Sequence, residues 1–401
     1  MNAALKIFKM ARKMSKPILP GARLLAIGWV LLPFCVHSQS NQTNPNMSFE
    51  EYEPRSTLVV PAHPVMRAKY PFIDVHNHQS NMPAQNLKEL VAEMDKLNMA
   101  VMVNLSGRGF KRAQTSDSTT ASGINDSEYL KKAVQNAETT APGRFIIFTN
   151  IDFNSIGESG WTEKAVKELE QDVKNGARGL KIYKSLGLET KDAGGKRVPV
   201  DDPRLDPIWD KCGELKIPVL IHTGDPASFW LPQDKFNERW LELKQFPGRY
   251  RYGKEPSWEQ VMNEQFNVFK KHPKTNFISA HMAWMANDLA RLGKLLDEIP
   301  NMFTEIGAII YDPGRQPRFA REWFTKYQDR VLFGKDIWAP EEYYCYFRVL
   351  ETADEYFDYY RKRHAFWKLY GLDLPDEVLK KLYYKNALRI LPGIDKSRFP
   401  N

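Results

Sequence analysis

A chain of 401 residues with 42% apolar side chains can bury one large core or two ordinary ones. Its formal net charge of +8 does not make it a nucleic-acid binder. Residues 1–38 hold Lys6, Lys9, Arg12, Lys13, Lys16 and Arg23 without one acid, and elsewhere basic and acidic residues interleave, as in EKAVKELEQDVK, leaving no phosphate-tracking stripe.

The basic leader runs into LLAIGWVLLPF and then the small-residue exit CVHSQS, the order of a secretory signal peptide. Cleavage after Ser38 leaves Gln39 at the new terminus and predicts a periplasmic or secreted protein. The apolar run is about half the ~20 residues that span a bilayer, so no stable membrane span is expected. Lipidation at Cys35 is the weaker alternative, because LPFC lacks the small residue expected before a lipidated Cys. Cys212 and Cys345 then remain, read as separate buried thiols. Residues 39–70 are polar and Pro-rich, a linker or wrapping arm.

From residue 71 strand-like and helical patterns alternate. The strands are FIDVHNH, MAVMVNLSG, FIIFTNID, GARGLKIYKS, PVLIHTG, NFISAHMA, NMFTEIGA and VLFGKDIW; amphipathic helical runs such as NLKELVAEMDKLN and TEKAVKELEQDVKN separate them. Eight such units predict an α/β fold, a closed (β/α)8 TIM barrel over residues 71–401. Two aromatic-rich insertions interrupt the alternation. One follows strand five, residues 224–258, and the other follows strand eight, where residues 339–370 read as an aromatic helical stretch. Both leave the barrel face on which such enzymes place their sites, and suit a substrate lid or a homodimer interface.

Four of the eight histidines, and one aspartate, stand where predicted strands end: His76 and His78 on strand one, His222 on five, His281 on six, Asp336 on eight. Imidazole and carboxylate form a ligand set for a catalytic divalent metal, zinc foremost and manganese next. His76 and His78, two apart on a strand, project to one side and can chelate one ion. Asp74 shares their parity and is a candidate acceptor for a ligand imidazole, or a buried hydrogen-bond partner. His222 is a third ligand. Asp336 is a ligand, a proton acceptor, or both, and His281 a further ligand or a base beside the metal. Weaker candidates for holding substrate are Arg108, Lys181, Tyr183 and Glu305; Lys335 and Arg251 add further cations. His63, His272 and His364 read as surface residues.

These motifs, together with the ending YYKNALRIL, resemble the amidohydrolase superfamily over roughly residues 71–392, in particular the branch that includes aminocarboxymuconate-semialdehyde decarboxylase and pyrone dicarboxylate lactonase. The resemblance implies a metal at His76, His78, His222 and Asp336, with His281 as catalytic base. Lys335 departs from the pattern, in which Ser or Thr more often precedes the Asp. Binuclear members bridge two metals with a carboxylated lysine from strand four, the place of Lys181; an ordinary Lys181 that binds a substrate or structural carboxylate is the favoured expectation. Hydrolysis of a small amide, ester or lactone by metal-activated water leads, with non-oxidative decarboxylation second and a non-catalytic secreted binding protein third. The partner is a small, planar or cyclic anionic molecule.

Overall fold

The computed structural model describes residues 46–110 and 123–400. The leader, residues 1–38, lies outside them. Residues 46–55 form turns without helix or strand, where Ser48 and Glu51 exchange side chain to backbone hydrogen bonds. From Ser56 onward the chain belongs to one compact unit. Within that unit an irregular segment leads to the first strand, pinned where Asp354 accepts hydrogen bonds from the His63 backbone N–H and imidazole, both at 2.6 Å.

Eight parallel strands follow: β1 Phe72–Asn77, β2 Met99–Asn104, β3 in the two segments Phe145–Ile147 and Thr149–Asn150, β4 Leu180–Ile182, β5 Val219–Ile221, β6 Phe277–Ser279, β7 Met302–Glu305 and β8 Val331–Leu332. Each pairs in parallel with the next, β3 passing from β2 to β4 at Phe148. The ring closes where Val75 N–H donates to Phe333 O (2.9 Å) and Asp336 N–H to His76 O (2.6 Å). These runs carry apolar residues on both faces, as strands walled by side chains inside and helices outside must; all six residues of β1 are buried.

Seven main helices cross between the strands and an eighth follows β8: α1 Leu87–Leu97, α2 Ser127–Thr140, α3 Trp161–Lys174, α4 Asp206–Glu214, α5 Trp258–Lys271, α6 Leu289–Glu298, α7 Pro317–Lys326 and α8 Pro340–Glu351. In α1 the apolar positions Leu87, Leu90, Met94 and Leu97 recur at helical spacing and are the ones buried. Asp126, Ser257 and Asp288 cap α2, α5 and α6, each accepting a backbone N–H from the first turn. Sequence and structure differ after strand eight. Helix α8 stops at Glu351, and residues 352–375 continue without helix, so only the first part of the expected helical stretch is helical. Among the described residues no helix is long and apolar enough to cross a membrane. Cys212 and Cys345 are free thiols, Cys212 buried and Cys345 half-buried.

Candidate metal centre

Barrel closure decides which side chains meet. Because Asp336 N–H pairs with the carbonyl of His76, the last strand's end lies beside the first, and the carboxylate of Asp336 faces both histidines of β1. Asp336 Oδ1 stands 3.3 Å from His76 Nε2 and 3.5 Å from His78 Nε2. One ligand atom from each of these three residues lies within 4.8 Å of the other two. The arrangement is strained: Asp336 holds φ +82°, and His281, Met282, Ala283 and Trp284 hold φ between +51° and +56° at the end of β6. Such backbone costs roughly 1–3 kcal/mol per residue and gathers at functional sites.

Glu305, at the end of β7, organises the centre. Fully buried, it accepts from His76 Nδ1 (2.9 Å) and from the His281 backbone N–H (2.7 Å) through one oxygen, and from the Gly307 N–H through the other. This corrects the expectation that Glu305 binds substrate: donors from the protein occupy both its oxygens. Gly334 permits the approach, since a Cβ there would lie 2.3 Å from Glu305 Oε2 and 3.0 Å from the Cβ of His76. Asp74 does not orient an imidazole. It accepts from the His76 and Lys335 backbone N–H groups, from Asn77 and from the Tyr343 hydroxyl, tying β1 to the turn after β8. Burial raises its pKa to about 6 against those hydrogen bonds.

Hydrogen-bond partners assign the protons on the rings. His76 Nδ1–H donates a hydrogen bond to the Glu305 carboxylate, which leaves a lone pair on Nε2. His281 Nδ1 donates to Gly307 O at 2.7 Å, with the same result. Tyr183 donates to Leu105 O (3.0 Å), so Ser106 donates to Tyr183 (3.0 Å) and accepts from His78 Nδ1 (2.8 Å), and His78 Nε2 is again a lone pair. Neutral rings suit their surroundings: burial lowers the pKa of His76 and His222 well below the ordinary value and that of His78 to about 4. Burial pushes the Asp336 carboxyl up, but the cationic forms of His76, His281 and His78, together with Lys181, pull it down by more, to about 2, so it is already ionised where the rings are neutral. Lone pairs on nitrogen therefore face an ionised carboxylate with no proton between them. The buried Nε2 atoms of His76 and His222 have no hydrogen-bond partner among the described residues. A divalent cation satisfies this donor set, so the residues fit a metal.

His222 stands to one side of the tightest group, its Nδ1 3.4 Å from His281 Nε2 and the two rings crossed edge to face at 4.5 Å. His281 stacks on His76 at 4.9 Å and meets Trp284, tilted, at 4.6 Å. Lys181 is 1% exposed and its Nζ has no partner, so the structural carboxylate considered for it is absent among the described residues. Burial lowers its pKa to about 8, against the pull of Asp336 and Glu305. Tyr183 does not offer substrate a hydroxyl, since that group is committed to Leu105 and Ser106.

Other expectations are overturned by partners distant in sequence. Arg108 does not reach the metal centre. It is 4% exposed, donates to Asn125 O (2.8 Å) and Glu168 (3.1 Å), and borders a separate cavity. Lys335 is buried in an ion pair with Glu342, and Arg251 stands near Glu189 and Asp225. His272 is buried between Asp206 and Asp210, and His364 is buried in the wall of the central cavity. Of the three histidines read as surface residues, His63 alone has an exposed side chain.

That central cavity, of about 180 Å³, opens above His222, His281 and Asp336. Both insertions wall it: Phe229, Arg239, Glu242 and Arg249 from the first, Arg361, Arg363 and His364 from the second. Sequence reasoning missed Ser106, Trp284 and these wall residues; no local pattern marks them.

Histidines and a carboxylate gathered at the C-terminal end of a parallel β/α barrel define a class, the metal-dependent barrel enzymes. The amidohydrolase family model matches residues 73–393, and the chain belongs to that family. None of the curated proteins matches it. Among solved structures it is similar to an uncharacterised TIM-barrel protein from Bordetella bronchiseptica, at 16% identity over 80% of this chain and 97% of that one, with a TM-score of 0.49. It is also similar to a 2,6-dihydroxybenzoate decarboxylase from Rhizobium (15%; 80% and 98%; 0.46) and to a 4-oxalomesaconate hydratase from Rhodopseudomonas palustris (15%; 80% and 95%; 0.46).

Proposed function

We propose that the protein is a metal-dependent hydrolase acting on a small carboxylate-bearing or cyclic amide, ester or lactone. The observation that carries this is the set of Nε2 lone pairs around the ionised Asp336 at the floor of a cavity. His76, His78, His222 and Asp336 hold one divalent cation, zinc by preference for a nitrogen-rich set and manganese as the alternative. When bound, that cation supplies a Lewis acid that polarises a carbonyl and makes water acidic near neutral pH. The chain's own residues do the rest. Glu305 and Ser106 fix the imidazoles of His76 and His78. His281, anchored on Gly307 O, presents a basic Nε2 that takes a proton from water and returns it to the leaving group. Lys181 holds a substrate carboxylate beside the reacting carbon, and Trp284 walls off solvent.

Non-oxidative decarboxylation is the second reading, favoured by the same Nε2 of His281, which can hand a proton to carbon. Export through the leader and pairing of two copies belong to the same proposal.

Elemental analysis of protein purified without chelator, run beside activity screens on lactones, N-acyl amino acids and aromatic carboxylates, tests the assignment. About one zinc or manganese per chain is expected, with both metal and turnover lost in Asp336→Asn and the thermal melt retained. Full activity in that variant removes the metal assignment; about two metals per chain makes Lys181 a bridging ligand. Release of carbon dioxide from a carboxylate, without water added across a bond, replaces hydrolase with lyase.

A further inference from the structure

The wall of the central cavity is cationic, and one of its charges is uncommitted. Arg239 and Arg249 both reach Glu242, Arg239 at 2.7 Å and Arg249 at 2.5 Å, and Arg239 also contacts the Tyr311 hydroxyl. Arg361 grips Glu342 through two nitrogens. Each of these three guanidiniums has a carboxylate partner. Arg363 has none. It makes no hydrogen bond or ion pair to any described residue, its Nε is buried without a partner, and its guanidinium lies over the Phe246 ring at 5.4 Å. Beside it the buried His364 also leaves its Nδ1 without a partner. A buried guanidinium N–H without a partner is unfavourable, because it is taken from water and given no hydrogen bond in return. Arginine's planar fork matches a carboxylate or phosphate through two parallel hydrogen bonds.

We infer that Arg363, with His364 beside it, forms an oxyanion subsite in the wall of the cavity that Asp336 also lines. The substrate then carries a terminal carboxylate, or another oxyanion, remote from the bond that reacts. Arg363 is a specificity residue: it holds the distal anion and sets the length between that anion and the reacting carbon. Arg239, Arg249 and Arg361 strengthen the attraction through charge while their hydrogen bonds stay with Glu242 and Glu342. The placement also gives the second insertion a task, since residues 352–375 carry Arg361, Arg363 and His364 to the cavity on backbone that is not helical.

The inference rests on the barrel's being a small-molecule enzyme, and the test separates the two claims. Isothermal titration calorimetry at neutral pH compares glutarate with its neutral analogue glutaramide on the metal-loaded wild type, Arg363→Gln, Arg363→Lys and Asp336→Asn. Glutarate should bind the wild type more tightly than glutaramide. Arg363→Gln should weaken glutarate about tenfold or more, the loss of one charge-assisted contact, and leave both glutaramide and metal content unchanged. Arg363→Lys, which keeps the charge without the fork, should fall between. Because Arg363 makes no hydrogen bond or ion pair to any described residue, both variants should melt close to the wild type. Equal affinity for the two probes in the wild type, or unchanged glutarate binding in Arg363→Gln, overturns the subsite. Asp336→Asn reports separately: if it keeps its metal while Arg363 still discriminates the probes, the subsite stands and the metal assignment falls.

Discussion

Two cavities of nearly equal size, about 180 and 190 Å³, lie in this barrel, and arginine borders both. Around Arg108 the guanidinium is answered, although Asp172 Oδ1 nearby has no hydrogen-bond partner among the described residues. The guanidinium meets Glu168, Asn125 O and Asn150 O, with Asp172 at 3.8 Å. Above Asp336 such groups cluster: among the described residues His76 Nε2, His222 Nε2, Arg363 Nε and His364 Nδ1 are buried without partners, and Lys181 Nζ is another buried amine beside the same centre. Size does not distinguish a site from a structural gap. A cluster of polar groups held away from water without partners does, because a ligand there can supply several missing contacts at once.

The contrast can be broken from either side. The largest effect is expected at Glu305, which keeps the lone pair of His76 turned toward Asp336. Glu305→Gln should weaken metal binding roughly 10–100-fold, the usual scale for a group that orients a ligand imidazole; competition with a chelator of known affinity measures it. Unchanged affinity would mean the ring is held by packing alone.

At Arg108 the prediction is loss of stability without loss of binding. Arg108→Met strips a buried partner from Asp172 and Glu168 and should cost roughly 1–3 kcal/mol in urea melts, while KM on any substrate found stays at the wild-type value. A raised KM with an unchanged melt would return Arg108 to the list of substrate ligands.

The smallest effect concerns His364. Burial, then the charges of Arg239, Arg361, Arg363 and Arg249, hold its pKa near 2, below the ordinary 6.5. Glu242 Oε1 at 3.8 Å and the rings of Tyr311 and Tyr359 also face it. The unfolded chain therefore takes up the proton first. The contribution of neutral His364 is complete above pH 6.5 and is lost as pH falls below it, by roughly 1 kcal/mol one unit lower. His364→Gln should flatten that part of the stability–pH curve; an unaltered slope would show that other groups carry it.

Sequence alone placed the barrel and most of its centre, and the reason is periodicity. Parallel strands walled on both faces must be short apolar runs, so His76, His222, His281 and Asp336 stand out at their ends as polar interruptions. Spacing on one strand, as with His76 and His78, is local information. Glu305 and His76 lie 229 residues apart, and Arg108 and Glu168 sixty. No window of sequence shows that Glu305 would be spent on an imidazole, or Arg108 on α3. His272 and His364 looked like surface residues for the same cause: their basic neighbours are local, while Asp206, Asp210 and the cavity are not. Local pattern marked which residues carry metal-competent side chains at strand ends. Closure of the ring, which sets β8 against β1 and lays two insertions over one cavity, decided which of them meet, because burial and partner count belong to the folded chain and to no segment of it.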